Sequence, residues 1–255
     1  KSAQKFVRRL QIPDLQTHAK RLGITPQPAL RAAASPEVAD VPSAKLIKGQ
    51  VTAFTEGLSG QDKQDVEYTT LAAQLNSDVK VPDNQSFEGM KKWFKNYASV
   101  MSNLGWIMSF DWEKYNAATQ GLTMDKVVLQ VLAAVASQNG AAIAKSAIDA
   151  MKTLDRGDGK LRLFQNSTMG NEAGKFLLGI ASKDNDSIGL AYGAFAMDYQ
   201  TRDTSVLWFE WKSSDVSIYR DQKRATFNQT YYARGAREAL ETKLADHAPT
   251  YVEDL

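Results

Sequence analysis

The residues that could carry chemistry are few and scattered. There are two histidines, His18 and His247, at opposite ends of the chain, and there is no cysteine. Without cysteine there are no thiolate metal sites, thiol nucleophiles, disulfides or lipidated cysteines. Two histidines cannot build a histidine-rich metal site within one chain, and they give a nucleophile–histidine triad few candidates. No GxGxxG, P-loop, GxSxG or HExxH pattern stands in the sequence. Asp and Glu pairs exist, but nothing places two of them in one cleft. The expectation is a protein that is not an enzyme, with no metal and no cofactor.

Shorter motifs give little more. Arg156-Gly157-Asp158 could serve receptor adhesion, but Gly157, Gly159 and the flanking aspartates also make a turn, which is the reading taken. "DRGDG" at 155–159 and "KDNDS" at 183–187 hint at calcium loops. Neither has full EF-hand spacing, and the bidentate glutamate is missing, so turn chemistry again explains them better. Asn84, Asn166 and Asn228 open N-x-S/T sequons, which matter only in a eukaryotic secretory pathway.

The elements that surround these residues are more informative. At 255 residues, 43% hydrophobic and 24% charged, the chain has an ordinary globular composition and room for one large domain or two small ones. No uncharged run approaches the roughly 18 residues of a spanning helix, and no signal-peptide pattern is visible. The net charge of +2 is uneven. Residues 1–31 hold Lys1, Lys5, Arg8, Arg9, Lys20, Arg21 and Arg31 against Asp14 alone, or +6, which leaves the remainder at −4. Five of seven prolines lie in the first 42 residues. Residues 1–42 therefore read as a basic, proline-punctuated arm. Such an arm could touch anionic lipid or nucleic acid, though a solvated extension is the plainer reading. A main body is expected over 43–255.

Within that body, Leu46, Val51, Phe54 and Leu58 recur at helical spacing, and Val66, Leu71 and Leu75 continue in a second helix. Asp83 or Ser86 could cap a third, with Trp93, Phe94, Tyr97 and Met101 as its apolar side. "WIMSFDWEKY" alternates and reads as a strand, with Trp106, Met108, Phe110 and Trp112 on one side. A helical pair follows. Thr123 is a good N-cap for a Val127–Val135 stripe, Asn139-Gly140 breaks the pattern, and an alanine-rich face runs from Ala141 to Leu154. Strands are then expected at 161–165, 176–182, 188–199, 205–219 and 226–232, with a closing helix near 233–245. Helices first and antiparallel strands later indicate an α+β chain.

The strand from Ile188 to Met197 contains no charge. A half-wetted strand alternates apolar with polar, so this one needs cover on both faces, either a helix layer on each side or lipid. Late aromatics such as Phe195, Tyr199, Trp208, Phe209, Trp211, Tyr219, Phe227, Tyr231 and Tyr232 fit core packing, with an interfacial aromatic belt as the alternative.

The order of these late pieces is distinctive. "AIAKSAIDAMKTLDRGDGKLRLF" leads to "FLLGIASKDNDSIGLAYGAFAMDY", then to "SVLWFEWKSSDVSIYRDQKRATFNQ". Over about 90 residues, from roughly 140 to 232, this resembles the C-terminal half of the Cyt cytolysins, the cytolytic δ-endotoxins of insecticidal bacteria, and their fungal and Gram-negative relatives. In that family a helix enters a strand. A hairpin with a polar turn follows, then a "VLFF-I-KDSA-Y-V"-like strand, here Val206 to Tyr219. Family members tend to carry a cysteine after the polar turn; this chain has none, so no thiol role is implied.

The resemblance implies an α/β/α-layered α+β fold, with a central antiparallel sheet wrapped by helical hairpins. It implies a toxin or virulence factor, secreted or released from a bacterial cell, that acts at the target cell membrane. Such a protein binds membrane phospholipid, moves its helices near 87–104 and 123–154 off the sheet, oligomerises on the membrane and permeabilises it. A processed N-terminal segment is also usual, and nucleic acid is not an expected partner. The lipid-interacting candidates are then Ile188, Leu190, Tyr192, Phe195, Met197, Leu207, Trp208, Phe209 and Trp211. A ten-residue charge-free strand is long enough to span when tilted, but Glu210 and Lys212 are costly in lipid. Shallow helix insertion competes with a barrel as the mechanism. The rival reading is a non-enzymatic soluble lipid- or partner-binding module with a helix-covered sheet; a hydrolase is a third.

Overall fold

The computed structural model describes residues 2–28, 41–115, 123–170, 173–199 and 216–255. Ten helices and eight strands run in chain order among them. They begin with α1 (Ser2–Arg9), α2 (Leu15–Arg21), β1 (Ser43–Ile47), β2 (Gln50–Phe54), α3 (Gly60–Lys80) and α4 (Phe87–Asn103). Next come β3 (Trp106–Ile107), β4 (Glu113–Lys114), α5 (Met124–Ala133), α6 (Gln138–Lys152) and α7 (Gly159–Thr168). The long strands β5 (Ala173–Asp184), β6 (Ser187–Asp198) and β7 (Ser217–Phe227) follow, then α8 (Gln229–Gly235), α9 (Arg237–Leu244), α10 (Ala248–Tyr251) and β8 (Val252–Asp254).

All eight strands form one sheet in the order β3-β7-β6-β5-β2-β1-β8, with β4 also paired to β7. The fold is α+β, as expected. The sheet, however, is mixed rather than antiparallel, because β2 and β5 run parallel. The chain leaves β2 through the whole run from α3 to α7 before returning beside it, and a long helical crossover is what joins parallel neighbours. The β5–β6 hairpin is the one the sequence indicates. It pairs Ala173 with Asp198 through to Asp184 with Ser187. Its two loop residues, Asn185 and Asp186, have φ of 47° and 63°. Both values are left-handed, as a type I′ hairpin turn requires.

Five expected elements differ. Residues 43–54 form the β1–β2 hairpin instead of a helix; the strands have only five residues each, and β2 is buried on both faces, so apolar spacing cannot separate the two periods. Leu161–Gln165 lies inside α7, because the Asp158 side chain accepts from Lys160 N and starts a helix there. The strand expected over 226–232 ends at Phe227, where Asn228 caps α8 through Tyr231 N. Between α5 and α6 the break falls before Ser137, which caps α6 through Gly140 N, so Asn139-Gly140 sits in a first helical turn. "WIMSFDWEKY" keeps strand pairing only at its ends, β3 and β4.

The basic N-terminal segment does not behave as a solvated extension over its described length. Ala3, Val7, Leu10 and Leu22 are buried in the same core as the sheet and helices. The two chain ends also meet, with His18 Nδ1 2.6 Å from the Tyr251 hydroxyl.

Candidate functional site

Of the nine lipid-interacting candidates, Ile188, Leu190, Tyr192, Phe195 and Met197 are all buried. Leu207, Trp208, Phe209 and Trp211 lie outside the described residues. The strand register divides the five between two faces. Ile188, Leu190 and Tyr192 point toward α3 and α4, with Tyr192 meeting Phe110 edge-on and donating to Ser109 O. Phe195 points the other way, where it stacks on Phe176 at 4.8 Å, and that ring in turn meets Phe164 of α7. Met197 shares this second face. Protein thus covers both faces of the charge-free strand.

The two faces are chemically unlike. Under α3 and α4 the sheet presents Lys45, Gln50, Thr52, Lys175, Lys183, Asp221 and Lys223 among its apolar residues. Under α5 and α6, the register of β1, β2, β5 and β6 presents Ala44, Leu46, Val51, Ala53, Phe176, Leu178, Ile180, Ala191, Gly193, Phe195 and Met197. No charge interrupts that second set. Polar residues return on the same face at its margins: Ser182, Asp184 and Ser187 by the β5–β6 turn, Glu253 on β8, and Arg220, Gln222, Arg224 and Thr226 along β7.

The helix layers are attached accordingly. Helix α3 is buried nearly all round, and its polar side chains serve as ties. Gln74 holds the β1–β2 turn, donating to Ile47 O at 2.8 Å and accepting from Gly49 N at 3.0 Å. Lys45 reaches Glu67 at 3.1 Å, and Lys183 reaches Asp62 at 3.1 Å. Trp106 Nε1 donates to Thr69 Oγ1. Asp65 accepts a two-pronged bond from Arg237 of α9, at 2.9 and 2.5 Å, and another from Gln229. Helix α4 is tied through Tyr97, whose hydroxyl donates to Gln50 Oε1 at 2.9 Å, and through Trp93, whose Nε1 donates to Asp78. Burial pushes the Tyr97 phenol well above its ordinary range, so it stays a donor.

Among the described residues, the α5–α6 pair has one exposed tie at the sheet's edge, where the Tyr115 hydroxyl, just after β4, donates to Gln130 Oε1 at 3.2 Å. It meets the sheet with Val127, Val128, Val131, Leu132, Ala144, Ala147, Ile148 and Met151, all buried. Its own ion pair, Lys152 to Asp125 at 2.5 Å, joins the two helices to each other. Among the described residues, no hydrogen bond or ion pair links either helix to a strand. The fit is close all the same. A Cβ added at Gly140 would lie 2.5 Å from Ile180 Cγ2, so only glycine lets α6 approach the sheet there.

Sequence reasoning missed a polar hub at one end of the sheet. The buried Asp78 carboxylate receives Lys48 Nζ at 2.9 Å, His18 Nε2 at 3.1 Å and Trp93 Nε1 at 2.8 Å. Burial alone would raise its pKa, but the Lys48 charge and the His18 hydrogen bond outweigh burial and hold the carboxyl well below the usual range. Burial pushes His18 down, leaving it the neutral partner. Four separate segments supply these groups, so no local spacing reveals them. The one local signal was a lysine, Lys175, standing in the otherwise apolar run "AGKFLLGIA".

Among the described residues no group of three or more His, Asp or Glu is placed to hold a metal, and no helix is long and apolar enough to cross a membrane. The RGD carboxylate is engaged as the α7 cap. No protein-family model matches the chain, and no curated protein sequence matches it. Among solved structures it is similar to one titled "Structure of the Evf virulence factor", with 12% identity over 95% of this chain and 92% of that one, at a TM-score of 0.37. It is also similar to a delta-endotoxin, with 12% identity over 80% of this chain and 91% of that one, at a TM-score of 0.30.

Proposed function

We propose that this protein is a secreted, membrane-active toxin or virulence factor that binds phospholipid, lifts its α5–α6 hairpin off the sheet, self-associates on the bilayer and permeabilises it. One observation carries the reading: the apolar middle of one sheet face, on β1, β2, β5 and β6, is covered by a helical pair that, among the described residues, makes no hydrogen bond or ion pair to those strands. In water that pair stays seated by the hydrophobic effect alone. At a bilayer, acyl chains can cover both the uncovered sheet face and the apolar side of the hairpin, so the force that keeps the pair closed is removed. Hydrogen bonds and ion pairs on the opposite face do not depend on that force, so α3 and α4 stay in place. This narrows the sequence expectation, in which the helix near 87–104 moves as well as those at 123–154.

The backbone favours the same route. The apolar face belongs to β1, β2, β5 and β6, and each has a hydrogen-bonded neighbour on both sides. The face can therefore meet lipid without exposing unpaired N–H and C=O groups, which lipid penalises heavily. Charge-free Ile188–Met197 has the length of a tilted spanning strand. The polar outer face of β7 limits how far the sheet sinks.

The test is dye release from zwitterionic and from anionic liposomes, with the full chain. Saturable leakage at low protein-to-lipid ratio supports the reading. No leakage and no liposome binding, across lipid compositions, pH values and protease treatment, would leave the covered face as an ordinary core and the protein as a soluble binding module.

A further inference from the structure

The polar hub borders a cavity of about 320 Å³. It opens where the end of α2, the β1–β2 turn, the α3–α4 connection, the end of α7 and the start of β5 converge. Its wall includes Arg21, Lys48, Asp78, Asn84, Ser167 and Lys175. Among the described wall residues, three cations face one carboxylate. That carboxylate is already occupied, since Asp78 accepts from Lys48, His18 and Trp93.

Lys175 is the unbalanced charge. It is buried, its ammonium donates to the Asn84 amide oxygen at 2.8 Å, and it lies 4.9 Å above the Trp93 ring. Asp78 attracts it through space, but no carboxylate among the described residues comes within ion-pair distance of it. A buried ammonium held by a neutral amide and a ring is costly unless an anion completes its shell. A second group points to the same gap. Ser167 Oγ, in a residue 8% exposed, is sealed from solvent and has no hydrogen-bond partner. Buried hydroxyls without partners are rare and call for an explanation.

We propose that this cavity is a binding site for a phosphate monoester, seated on the Lys175 and Lys48 ammonium groups, the Arg21 guanidinium and the Ser167 hydroxyl. Phosphate offers several acceptor oxygens and up to two negative charges, which matches an excess of donors and positive charge. The volume is at the small end of organic ligand sites, enough for the phosphate and a short alcohol. A soluble phosphate ester and a phosphomonoester lipid headgroup share this chemistry. The site is independent of the membrane reading, because it lies at the sheet end, among the tied elements, away from the α5–α6 face.

Burial pushes the Lys175 ammonium down to about 8. Binding should therefore weaken as pH rises through that value, while phosphate itself stays dianionic.

The experiment is titration calorimetry on the full chain with inorganic phosphate and with glycerol phosphate, chloride being the control. Sedimentation with phosphatidylcholine vesicles, with and without phosphatidic acid, forms a second arm. Saturable binding of the phosphates over chloride is expected. Lys175→Met should weaken it by at least about tenfold and Ser167→Ala by a few-fold, as loss of one charged and one neutral partner implies. Both variants replace a buried, incompletely partnered polar group by an apolar one and should fold, which far-UV circular dichroism verifies. Phosphatidic-acid binding that glycerol phosphate displaces and Lys175→Met removes assigns the headgroup. Binding of soluble phosphates alone assigns a free ester. Absence of binding in both arms, or binding equal in wild type and both variants, would overturn the site.

Discussion

Locking α6 to the sheet is the most direct perturbation of the proposed opening. The Cβ built on Gly140 lies 2.5 Å from Ile180 Cγ2, so the two Cβ positions are within about 4 Å, inside the range a disulfide accepts. The chain has no cysteine, so the pair Gly140→Cys and Ile180→Cys has no competing thiol. The bridge closes a loop of about 40 residues and should add on the order of 4 kcal/mol against unfolding, less about 1–2 kcal/mol for trimming Ile180. Its larger effect is on opening. Met124, Val127, Val128, Val131, Leu132, Ile148 and Met151 are buried in the pair, and at about 2 kcal/mol each they total on the order of 14 kcal/mol. If half of that burial lies between the helices, lifting them in water still costs on the order of 7 kcal/mol. A closed pair is thus the resting state, and lipid must supply the difference. Dye release should fall to background for the oxidised protein and return when dithiothreitol reduces it, with thiol titration reporting the bridge. Equal leakage from fully oxidised and reduced protein would refute the opening, because the sheet face would then not need to be uncovered.

Other consequences follow from single groups. Asp65→Ala strips Arg237 and Gln229 of their buried acceptor and should lower stability by about 2–4 kcal/mol, seen as a lower urea midpoint at unchanged slope. Gly140→Ala forces a methyl onto Ile180 and should destabilise by about 1–2 kcal/mol, despite alanine's better helix propensity, while speeding dye release because it loosens α6. Asp78 has a depressed carboxyl, so its stabilisation is complete above the unfolded value near 4 and is lost as pH falls below it. Acid denaturation should be shallower in Asp78→Asn than in wild type between about pH 5 and 2. Lys175 runs the other way. The unfolded chain keeps this proton to about pH 10.4, the folded one releases it near 8, so stability rises between about pH 8 and 10. In Lys175→Met that rise should disappear from chemical-denaturation curves taken across the window.

Much of the architecture could be read along the chain because it is local. The β5–β6 hairpin announces itself by two apolar runs around Asn185-Asp186, and Ser86 and Thr123 stand where α4 and α5 begin. What could not be read is long-range. The β2–β5 parallel pair joins residues more than a hundred positions apart, and no period encodes it. Helix α3 misleads for a related reason. Its Val66, Leu71 and Leu75 read as one apolar side, yet Asp62, Asp65, Gln74 and Asp78 are buried as well, because each meets a partner from a distant segment. A polar residue reads as solvent-facing until its partner is known. The lipid candidates show the complementary limit. Apolar content marked Ile188 to Met197 as one group, while alternation across the strand sends Ile188, Leu190 and Tyr192 to one layer and Phe195 and Met197 to the other.

That division gives the fold its mechanical logic. Had both faces been apolar, nothing would choose which helical layer leaves, and a chain shedding both would keep little to hold its sheet together. Had both carried ties like Tyr97–Gln50 and Lys183–Asp62, lipid would gain nothing by entering, since charged partners are worse served there than where they are. The observed sheet combines the two. One layer is fixed by groups that lose by moving into lipid, and the other is held by a force that lipid replaces. The buried charges of the fixed face also explain why Arg237, Gln229 and His18, itself held by Tyr251, converge on α3: they keep its carboxylates paired whether or not the opposite face is covered. An opening confined to α5–α6 leaves every one of those pairs intact.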